Sequence, residues 1–438
     1  MKITNFEHTG LDKVEEFIKK EDISENELRE CLKYSNVYFI LEGINRVQST
    51  LICELKDSYV QQSQRYVTMK EDSFTLPELE KEDSDKARKL INEAFKLYNN
   101  MSQSKEGEFK GRPKAENYLY GIPIEDARYI LPMAVKTNVS VSMSGNKLID
   151  LFALLNDNRY TYILADIKKE LKKFLPAKLL SLLLEVKRDY NIKLVEGYYK
   201  TEFDKIDNNN NKMVLINAFN NLDLKTGLGA ITSSNEKKPS EVLENWGEEA
   251  QEKAKSVANR VLGYGHESIA EQARTTFGMM CSMVTYHQQL RHRLSENHRE
   301  ELSTIIKDME RPVQVPPTII KSKFNDEFLD LTKEFKNFRR YIAEKYSEEK
   351  AVNFLLNCDQ VKLIISTNAR IDVKMLAERI CLNAQWEIRE LSTKKLEILR
   401  ELSEILYTNA LPSCVYGKCK EGKLTCGKQM FMKEKFMS

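Results

Sequence analysis

Several features that are absent from the sequence argue against particular classes of protein. No apolar stretch of about 18–20 residues occurs in its 438 residues, so no membrane-spanning helix is predicted. The formal net charge is only +2, which argues against a general nucleic-acid binder. The opening residues, MKITNFEHTG, lack the charged-then-apolar layout of a signal peptide. We therefore expect a cytoplasmic protein with two or three domains that binds neither membranes nor nucleic acids.

The cysteines do not form a disulfide framework. Five of the eight are isolated in the sequence, which is typical of a reduced intracellular protein. The other three, Cys414, Cys419 and Cys426, lie together in the tail. Three thiols at these spacings are one ligand short of a closed zinc site. We therefore predict no metal and interpret them as free thiols in a Gly- and Lys-rich tail, with metal binding as the less favoured alternative.

The chain contains two similar halves. A polar run at residues 207–211 separates two similar starts, KITNF from Lys2 and VLINAF from Val214. An offset of 238 aligns the early parts of the halves, and an offset of 224 aligns the later parts. We predict a first copy at residues 1–206, an Asn-rich linker at 207–212, a second copy at 213–412 and a tail at 413–438. The change in offset requires extra residues in the first copy, which we place in the charged stretch 70–114 as a surface excursion.

The hydrophobic pattern predicts a mixture of strands and long helices. Residues 139–142 and 363–366 alternate in the manner of strands. Residues 147–189 and 371–409 are typical of long amphipathic helices. Apolar positions at helical spacing across 255–303 predict another long helix. Each copy is therefore expected to be an α/β or α+β unit.

Two fragments of one motif lie in different halves of the chain. The second half contains Arg291-His292-Arg293, and the first half contains the run Gln61-Gln62-Ser63-Gln64-Arg65-Tyr66. At the offset of 238, Cys53-Glu54-Leu55 stand opposite Arg291-His292-Arg293, while Glu301 and Ser303 stand opposite Ser63 and Arg65. Each half therefore keeps what the other has lost, which suggests a duplication whose copies divided the work of one site.

Taken together, these fragments resemble the hallmark of the flavin-dependent thymidylate synthases. That hallmark is Arg-His-Arg, seven residues and then Ser, within a longer Gln-Ser-Gln-Arg-Tyr run, and no single stretch here satisfies all of it. The resemblance implies two tandem copies of the family domain. Each copy would be a curved, mostly antiparallel sheet with long flanking helices.

The resemblance also implies that the second copy binds FAD. Its motifs Gly265-His266-Glu267-Ser268 and Asn368-Ala369-Arg370 match the family's flavin-binding blocks. The implied FAD ligands are His266, Ser268, Glu271, Arg291, His292, Arg293, Asn368 and Arg370. Arginine forks suit both a pyrophosphate and a flavin that becomes anionic on reduction. The alternative is a solvated basic cluster, which the concentration of four of the five histidines in this region disfavours.

The nucleotide ligands are divided between the copies. Arg379 and the run Ala384-Gln385-Trp386-Glu387-Ile388-Arg389 match the family's closing block, in which the arginine that matches Arg379 pairs with the pyrimidine ring. A guanidinium there would stabilise charge on the ring carbonyls by about 3–4 kcal/mol, although Arg379 alone could also be an exposed helix arginine. Arg379 and Arg291 are the predicted catalytic residues. The implied nucleotide ligands are Gln288, Arg379, Gln61, Gln62, Ser63, Arg65 and Arg128.

The activity that the resemblance implies is the reductive methylation of dUMP to dTMP. Methylenetetrahydrofolate would supply the carbon, and NADPH would reduce the flavin. The family assembles its sites at boundaries between subunits, so we expect a homodimer that forms a pseudo-tetramer of four copies, with each working site shared between unlike copies. The opposite combination, which we term the mirror set, should be inactive; it comprises Cys53, Glu54, Leu55, Leu155, Glu301 and Val352.

Two other functions are compatible with the same residues. Departures from the family pattern around Glu296–Glu301 leave open a related enzyme that methylates or hydroxymethylates another pyrimidine nucleotide. A duplicated chain could also be a non-catalytic nucleotide-binding paralogue. The losses in the two copies are reciprocal rather than complete, which favours an enzyme.

Overall fold

The computed structural model describes residues 1–105, 114–188, 190–206 and 212–437. The linker predicted at 207–212 therefore lies outside the described residues except for Lys212. Among the described helices, none combines the length and the apolarity needed to cross a bilayer.

Within the described residues the strands form two four-stranded sheets of equivalent order, β1-β2-β4-β3 and β5-β6-β8-β7. The strands are β1 (Lys2–Thr9), β2 (Asn36–Asn45), β3 (Ser58–Gln61), β4 (Lys136–Ser144), β5 (Met213–Ala218), β6 (Arg274–Ser282), β7 (Glu296–Arg299) and β8 (Gln360–Asn368). Neighbouring strands run antiparallel, as in the pairs β1–β2, β2–β4, β3–β4, β5–β6 and β7–β8. The predicted fold class, two copies of a mixed α/β domain, is confirmed.

Helices flank both sheets. In chain order they are α1 (Leu11–Ile18), α2 (Glu25–Leu32), α3 (Arg46–Cys53), α4 (Lys81–Met101), α5 (Ile124–Ala127), α6 (Lys147–Leu155), α7 (Thr161–Leu171), α8 (Ala177–Glu185), α9 (Ile192–Phe203), α10 (Leu222–Ser234), α11 (Pro239–Trp246), α12 (Ala250–Gly263), α13 (Met283–Gln289), α14 (Leu302–Lys307), α15 (Pro317–Ile320), α16 (Asn325–Lys345), α17 (Glu348–Ala351), α18 (Ala369–Arg379), α19 (Trp386–Leu402), α20 (Glu404–Tyr407), α21 (Ser413–Tyr416) and α22 (Gln429–Met437).

Some of the helices are shorter than the sequence pattern predicts. The long helix predicted over 255–303 is wrong, because this stretch contains α12, then the buried strand β6, then the short α13. The helix predicted over 147–189 is divided into α6, α7 and α8, with Pro176 at the start of α8, where its fixed φ suits a helix N-terminus but not an interior. The helix predicted over 371–409 is interrupted after Arg379 and restarts where the Gln385 side chain caps α19.

The extra residues of the first copy occupy a shorter stretch of the sequence than predicted. Helix α4 lies within the stretch assigned to a surface excursion, yet it buries Ile91, Ala94, Phe95 and Tyr98 along one face. Helix α16 of the second copy has the same length as α4, and the two helices pack together. Residues 102–123 connect α4 to α5, whereas only 346 and 347 connect α16 to α17. The insertion therefore follows α4 and does not include it.

The chain folds into two compact units that interleave along the sequence. The first unit comprises Met1–Lys193, Ser282–Leu290 and Glu301–Gln360, and the second comprises Leu194–Cys281, Arg291–Glu300 and Val361–Ser438. Parts of the second copy, including α13, α16 and α17, thus belong to the first unit.

Inside the first unit, the two copies exchange backbone hydrogen bonds reciprocally. The Met133 N–H donates to Leu355 O at 2.7 Å, and the Asn357 N–H donates to Leu131 O at 2.9 Å. These two bonds are related by the offset of 224, as are the bonds from Ala134 N–H to the Asn353 carbonyl and from Cys358 N–H to the Tyr129 carbonyl. Such an exchange is expected where a pseudo-twofold axis relates two copies of one motif.

Inside the second unit, a buried ion pair joins α18 to α19. The Lys395 ammonium lies 2.7 Å from the Asp372 carboxylate, and the two side chains are 3% and 0% exposed. Asp372 also accepts a hydrogen bond from the Thr367 hydroxyl at 2.9 Å, and the ammonium lies over the Phe277 ring. Removing one member of such a pair leaves the other charge buried and uncompensated.

We therefore expect Asp372→Ala to lower the free energy of unfolding by about 3–5 kcal/mol. Glu397→Ala is a matched control, since Glu397 pairs on the same helix with Lys394 at 3.4 Å but both side chains are more than half exposed. The control should cost less than about 1 kcal/mol. Urea unfolding followed by circular dichroism measures both, and equal losses would contradict the assignment.

Candidate active site

The Arg-His-Arg motif lies in the loop between α13 and β7. Helix α13 begins at Ser282, whose hydroxyl accepts from the Thr285 N–H at 3.2 Å, and it ends before Leu290. The loop itself is held by Ser295, which is fully buried and whose N–H and hydroxyl both donate to the His292 carbonyl, at 3.1 and 2.6 Å. A turn fixed in this way holds the His292 backbone in one position.

His292 and Arg379 form the central contact of the second unit. The Nε–H of Arg379, at the end of α18, donates to Nε2 of His292 at 2.6 Å. Burial, together with the neighbouring charges of Arg379, Lys395 and Arg291, lowers the pKa of His292 to about 3. His292 is therefore neutral at physiological pH, and its accepting Nε2 places the ring proton on Nδ1. A neutral imidazole can orient a guanidinium without cancelling its charge.

The other predicted flavin ligands also lie in the second unit. Arg370, on the first turn of α18, donates to Glu271 at 2.5 Å, and its Nε lies 3.8 Å from Glu267. Asn368 is nearly buried and uses its side-chain oxygen to cap α18 by accepting from the Ile371 N–H at 3.1 Å. His266 and Ser268 are exposed in the turn that follows α12. Gly265 permits this turn because its φ of +84° is unfavourable for other residues.

The first-copy members of the predicted nucleotide set lie in the first unit, at the end of β3. Gln61 is the last residue of β3, and its amide donates to the Ser49 hydroxyl at 3.1 Å. Gln62 accepts from the Asn138 side chain at 3.2 Å. The Ser63 hydroxyl accepts from the Arg65 N–H at 3.1 Å, and the Arg65 guanidinium forms an ion pair with Glu125. The loop is therefore ordered by its own hydrogen bonds.

Arg128 and Gln288 are the buried members of the nucleotide set. Arg128 is 6% exposed and its Nε donates to the Glu125 carbonyl at 3.0 Å. Gln288 lies on α13 and is 4% exposed. Both side chains belong to the first unit, as do Gln61, Gln62, Ser63 and Arg65. The structure thus gathers all of the nucleotide set except Arg379 in one unit and the whole flavin set in the other.

Several buried polar residues that the sequence did not predict support the nucleotide set. Asn357 lies at their centre: it accepts from Arg46 Nε at 3.1 Å and donates to the Arg128 carbonyl at 2.8 Å and to Gln64 Oε1 at 3.3 Å. Arg46 also contacts the buried His287. Gln64 is 3% exposed, and its amide nitrogen has no hydrogen-bond partner among the described residues. The sequence contained one indication of these supporting residues, which is Glu125 in the same motif block as Arg128.

The polar residues of the mirror set form hydrogen bonds and ion pairs within the first unit. Glu301, which stands opposite Ser63, accepts from Arg159 at 2.7 Å and from the Tyr160 hydroxyl at 3.3 Å. Glu54, opposite His292, accepts from the Tyr286 hydroxyl at 2.7 Å. Of the apolar members, Leu155 is fully enclosed, Cys53 and Val352 are each 4% exposed, and Leu55 is partly exposed. Polar members of this set therefore already have protein partners.

The pKa of His292 depends on the neighbouring positive charge of Arg379, which a substitution can remove. Arg379→Leu removes a positive neighbour, so the pKa of His292 should rise from about 3 while burial still holds it below 6.5. Because its folded-state pKa lies below its unfolded-state value, protonation of His292 favours unfolding, and stability should fall as the pH drops from about 6.5 toward 3.

NMR titration of ring-labelled histidine measures this change. Lys394→Ala, which removes an exposed cation from α19, is the control and should leave the pKa of His292 unchanged. A His292 that protonates near pH 6.5 in the unmodified protein would contradict the proposed neutral acceptor.

Comparisons with known proteins identify the family to which the chain belongs. A family model described as "Thymidylate synthase complementing protein" matches the chain twice, at residues 6–177 and 215–403. A flavin-dependent thymidylate synthase from Clostridium tetani is 30% identical over 209 residues, which cover 43% of this chain and 83% of the relative. One from Thermococcus kodakarensis is 34% identical over 176 residues, which cover 38% and 72%.

One solved structure is also similar, but only weakly. It is a crystal structure of flavin-dependent thymidylate synthase from Helicobacter pylori complexed with FAD and dUMP. The match covers 46% of this chain and 99% of the other, with 16% identity and a TM-score of 0.37. The two family-model matches span most of the sequence, so the chain belongs to the flavin-dependent thymidylate synthase family of enzymes and carries two copies of its domain.

Proposed function

We propose that this chain uses FAD to catalyse the reductive methylation of dUMP to dTMP, with methylenetetrahydrofolate as carbon donor and NADPH as reductant. The observation that carries the proposal is the hydrogen bond between Arg379 and a neutral His292. This contact unites the family's Arg-His-Arg motif with the arginine expected at the pyrimidine. The enzyme family of the chain and the names of its relatives support the reaction type.

The residues of the second unit fit FAD by their chemistry. Arg291 is exposed and Arg293 partly exposed, and they can meet the doubly negative pyrophosphate with charge-assisted hydrogen bonds. The Arg370–Glu271 pair is also accessible and combines a cation with an acceptor, as a ligand with phosphate and ribose groups requires. When bound, FAD would supply the hydride chemistry that no side chain of the protein can perform.

Arg379 is the residue that we propose to act on the nucleotide. Addition of carbon to the pyrimidine ring builds negative charge on the ring carbonyls, and a guanidinium held beside them stabilises that charge. His292 contacts Arg379 through a neutral nitrogen, so this contact does not cancel the charge of the guanidinium.

Ser63, Arg65 and Arg128 are proposed to bind the phosphate of the nucleotide. A hydroxyl and two guanidinium groups suit a dianion. The Glu125 carboxylate that pairs with Arg65 would hold the guanidinium in place until phosphate competes for it. We propose that each working site takes its flavin ligands from a second copy and its phosphate ligands from a first copy, and that two chains assemble as a pseudo-tetramer of four copies.

The division of ligands predicts about one FAD per chain rather than one per copy. Arg291→Leu should weaken FAD binding by roughly 10- to 100-fold, because a hydrogen bond to a charged group contributes about 1.5–3 kcal/mol. Cys53→Ala changes the equivalent position of the first copy and should leave FAD affinity unchanged. Flavin absorbance after reconstitution and dialysis gives both quantities, and equal losses in the two variants would refute the assignment.

The reaction itself is tested by Arg379→Leu. Turnover of dUMP to dTMP with methylenetetrahydrofolate and NADPH should fall by about 10²- to 10³-fold, as for loss of one donor to a developing oxyanion, while FAD remains bound. Lys374→Leu, which removes an exposed cation from the same helix, should keep its activity. Failure of the unmodified, FAD-loaded protein to form dTMP, or faster turnover of deoxycytidylate, would exclude the proposed reaction.

A further inference from the structure

The C-terminal tail is folded back so that its cysteines approach one another. Cys414 is the second residue of the short helix α21, and the Gly417 N–H after the helix donates to the Ser413 carbonyl at 3.0 Å. The Gln429 side chain, three residues beyond Cys426, donates to the Gly417 carbonyl at 2.8 Å. The segment carrying Cys414, Cys419 and Cys426 is thus closed into a loop.

A fourth cysteine meets this loop from elsewhere in the second unit. Cys381 lies two residues beyond the end of α18, and two residues later the Asn383 side chain donates to the Leu424 carbonyl of the tail at 3.1 Å. Cys414 is 7% exposed and the other three thiols are partly exposed. The loop between α18 and α19, which carries Cys381, is therefore in contact with the tail segment that carries the other three cysteines.

We propose that Cys381, Cys414, Cys419 and Cys426 bind one zinc ion as a four-thiolate site, which fastens the tail to the loop that follows Arg379. Four thiolates in a tetrahedron are the usual ligands of structural zinc, and the spacing of Cys414 and Cys419 lies within the range of such sites. Four exposed lysines, Lys418, Lys420, Lys423 and Lys428, can offset the negative charge of the centre.

The thiols have to move together for this site to form. Among residues 1–105, 114–188, 190–206 and 212–437, no three Cys, His, Asp or Glu side chains stand close enough together to hold a metal ion. Gly417, Gly422 and Gly427 lie between and beside the tail cysteines in open surroundings, so the loop can rearrange. Metal binding and final folding of the tail are then coupled.

Proton release accompanies binding at this site. Burial raises the pKa of the Cys414 thiol, and Cys381, Cys419 and Cys426 raise it further in that order. Zinc must displace the four thiol protons, so its affinity should increase with pH. No electron transfer or further reactant is required.

The test uses the full chain, purified under reducing conditions and titrated with Co²⁺, which gives thiolate charge-transfer bands, and then with Zn²⁺. We expect about one ion per chain. Cys381→Ser should weaken binding by more than about tenfold, since even loss of an outer partner of a ligand costs 10- to 100-fold. Cys426→Ser is a second variant in case Cys381→Ser does not fold. Cys31→Ser, which removes a partly exposed thiol of the first unit, should bind as the unmodified chain does.

Several results would overturn the proposal. These are no stoichiometric metal uptake, equal losses in Cys381→Ser and Cys31→Ser, disulfide pairing of the four thiols in the reduced preparation, or iron and sulfide in place of zinc. None of them depends on flavin or nucleotide, so the outcome is independent of the proposed enzymatic reaction.

Discussion

The first unit depends on buried backbone groups that each copy satisfies for the other. The segment 131–134 and its counterpart 355–358 have almost fully enclosed side chains, and both exchange main-chain hydrogen bonds across the pseudo-twofold axis. An unpaired peptide group in such surroundings would cost several times the net gain of one hydrogen bond. Neither copy can withdraw from this exchange without leaving such groups unpaired. The copies therefore diverged in their side chains while their joint backbone geometry was kept.

That constraint explains why a division of ligands is physically tolerable. Arg46, from the first copy, and Asn357, from the second, meet in the interior and support the Arg128 carbonyl and Gln64. A residue of one copy can take over the role of its counterpart in the other copy only where both copies contact the same buried hydrogen-bond network. The electrostatics follow the same division. The charges of Arg379, Lys395 and Arg291 lower the pKa of His292 in the second unit, whereas Glu125 and Glu301 pair with arginines in the first.

The sequence predicted the fold better than it predicted the contacts that support the candidate site. Strand β4 was visible because its burial alternates, whereas β6 was misread as helix because almost all of its residues are buried and no period of two remains. The offsets of 238 and 224 aligned β2 with β6 and β4 with β8 correctly. The Arg65–Glu125 pair, the Asn357 network and the approach of Cys381 to the tail join residues far apart in the chain. Spacing cannot reveal such contacts, because they depend on the packing of several elements.

The polar residues of the mirror set form ion pairs and hydrogen bonds within the protein. A site that binds a dianion carries cations whose mutual repulsion the ligand relieves, so loss of the ligand leaves them uncompensated. In the first unit the position opposite Ser63 is occupied by Glu301, and its carboxylate receives Arg159, which also pairs with Asp157. Asp157 in turn receives Arg188, and these contacts hold the pKa of Asp157 below its usual range despite its burial. An internal carboxylate thus supplies the negative charge that a phosphate would bring, and because it is covalently part of the chain it binds without loss of translational entropy. These internal ion pairs satisfy the charged groups at the mirror positions, and ligand binding there would require several of them to be replaced at once.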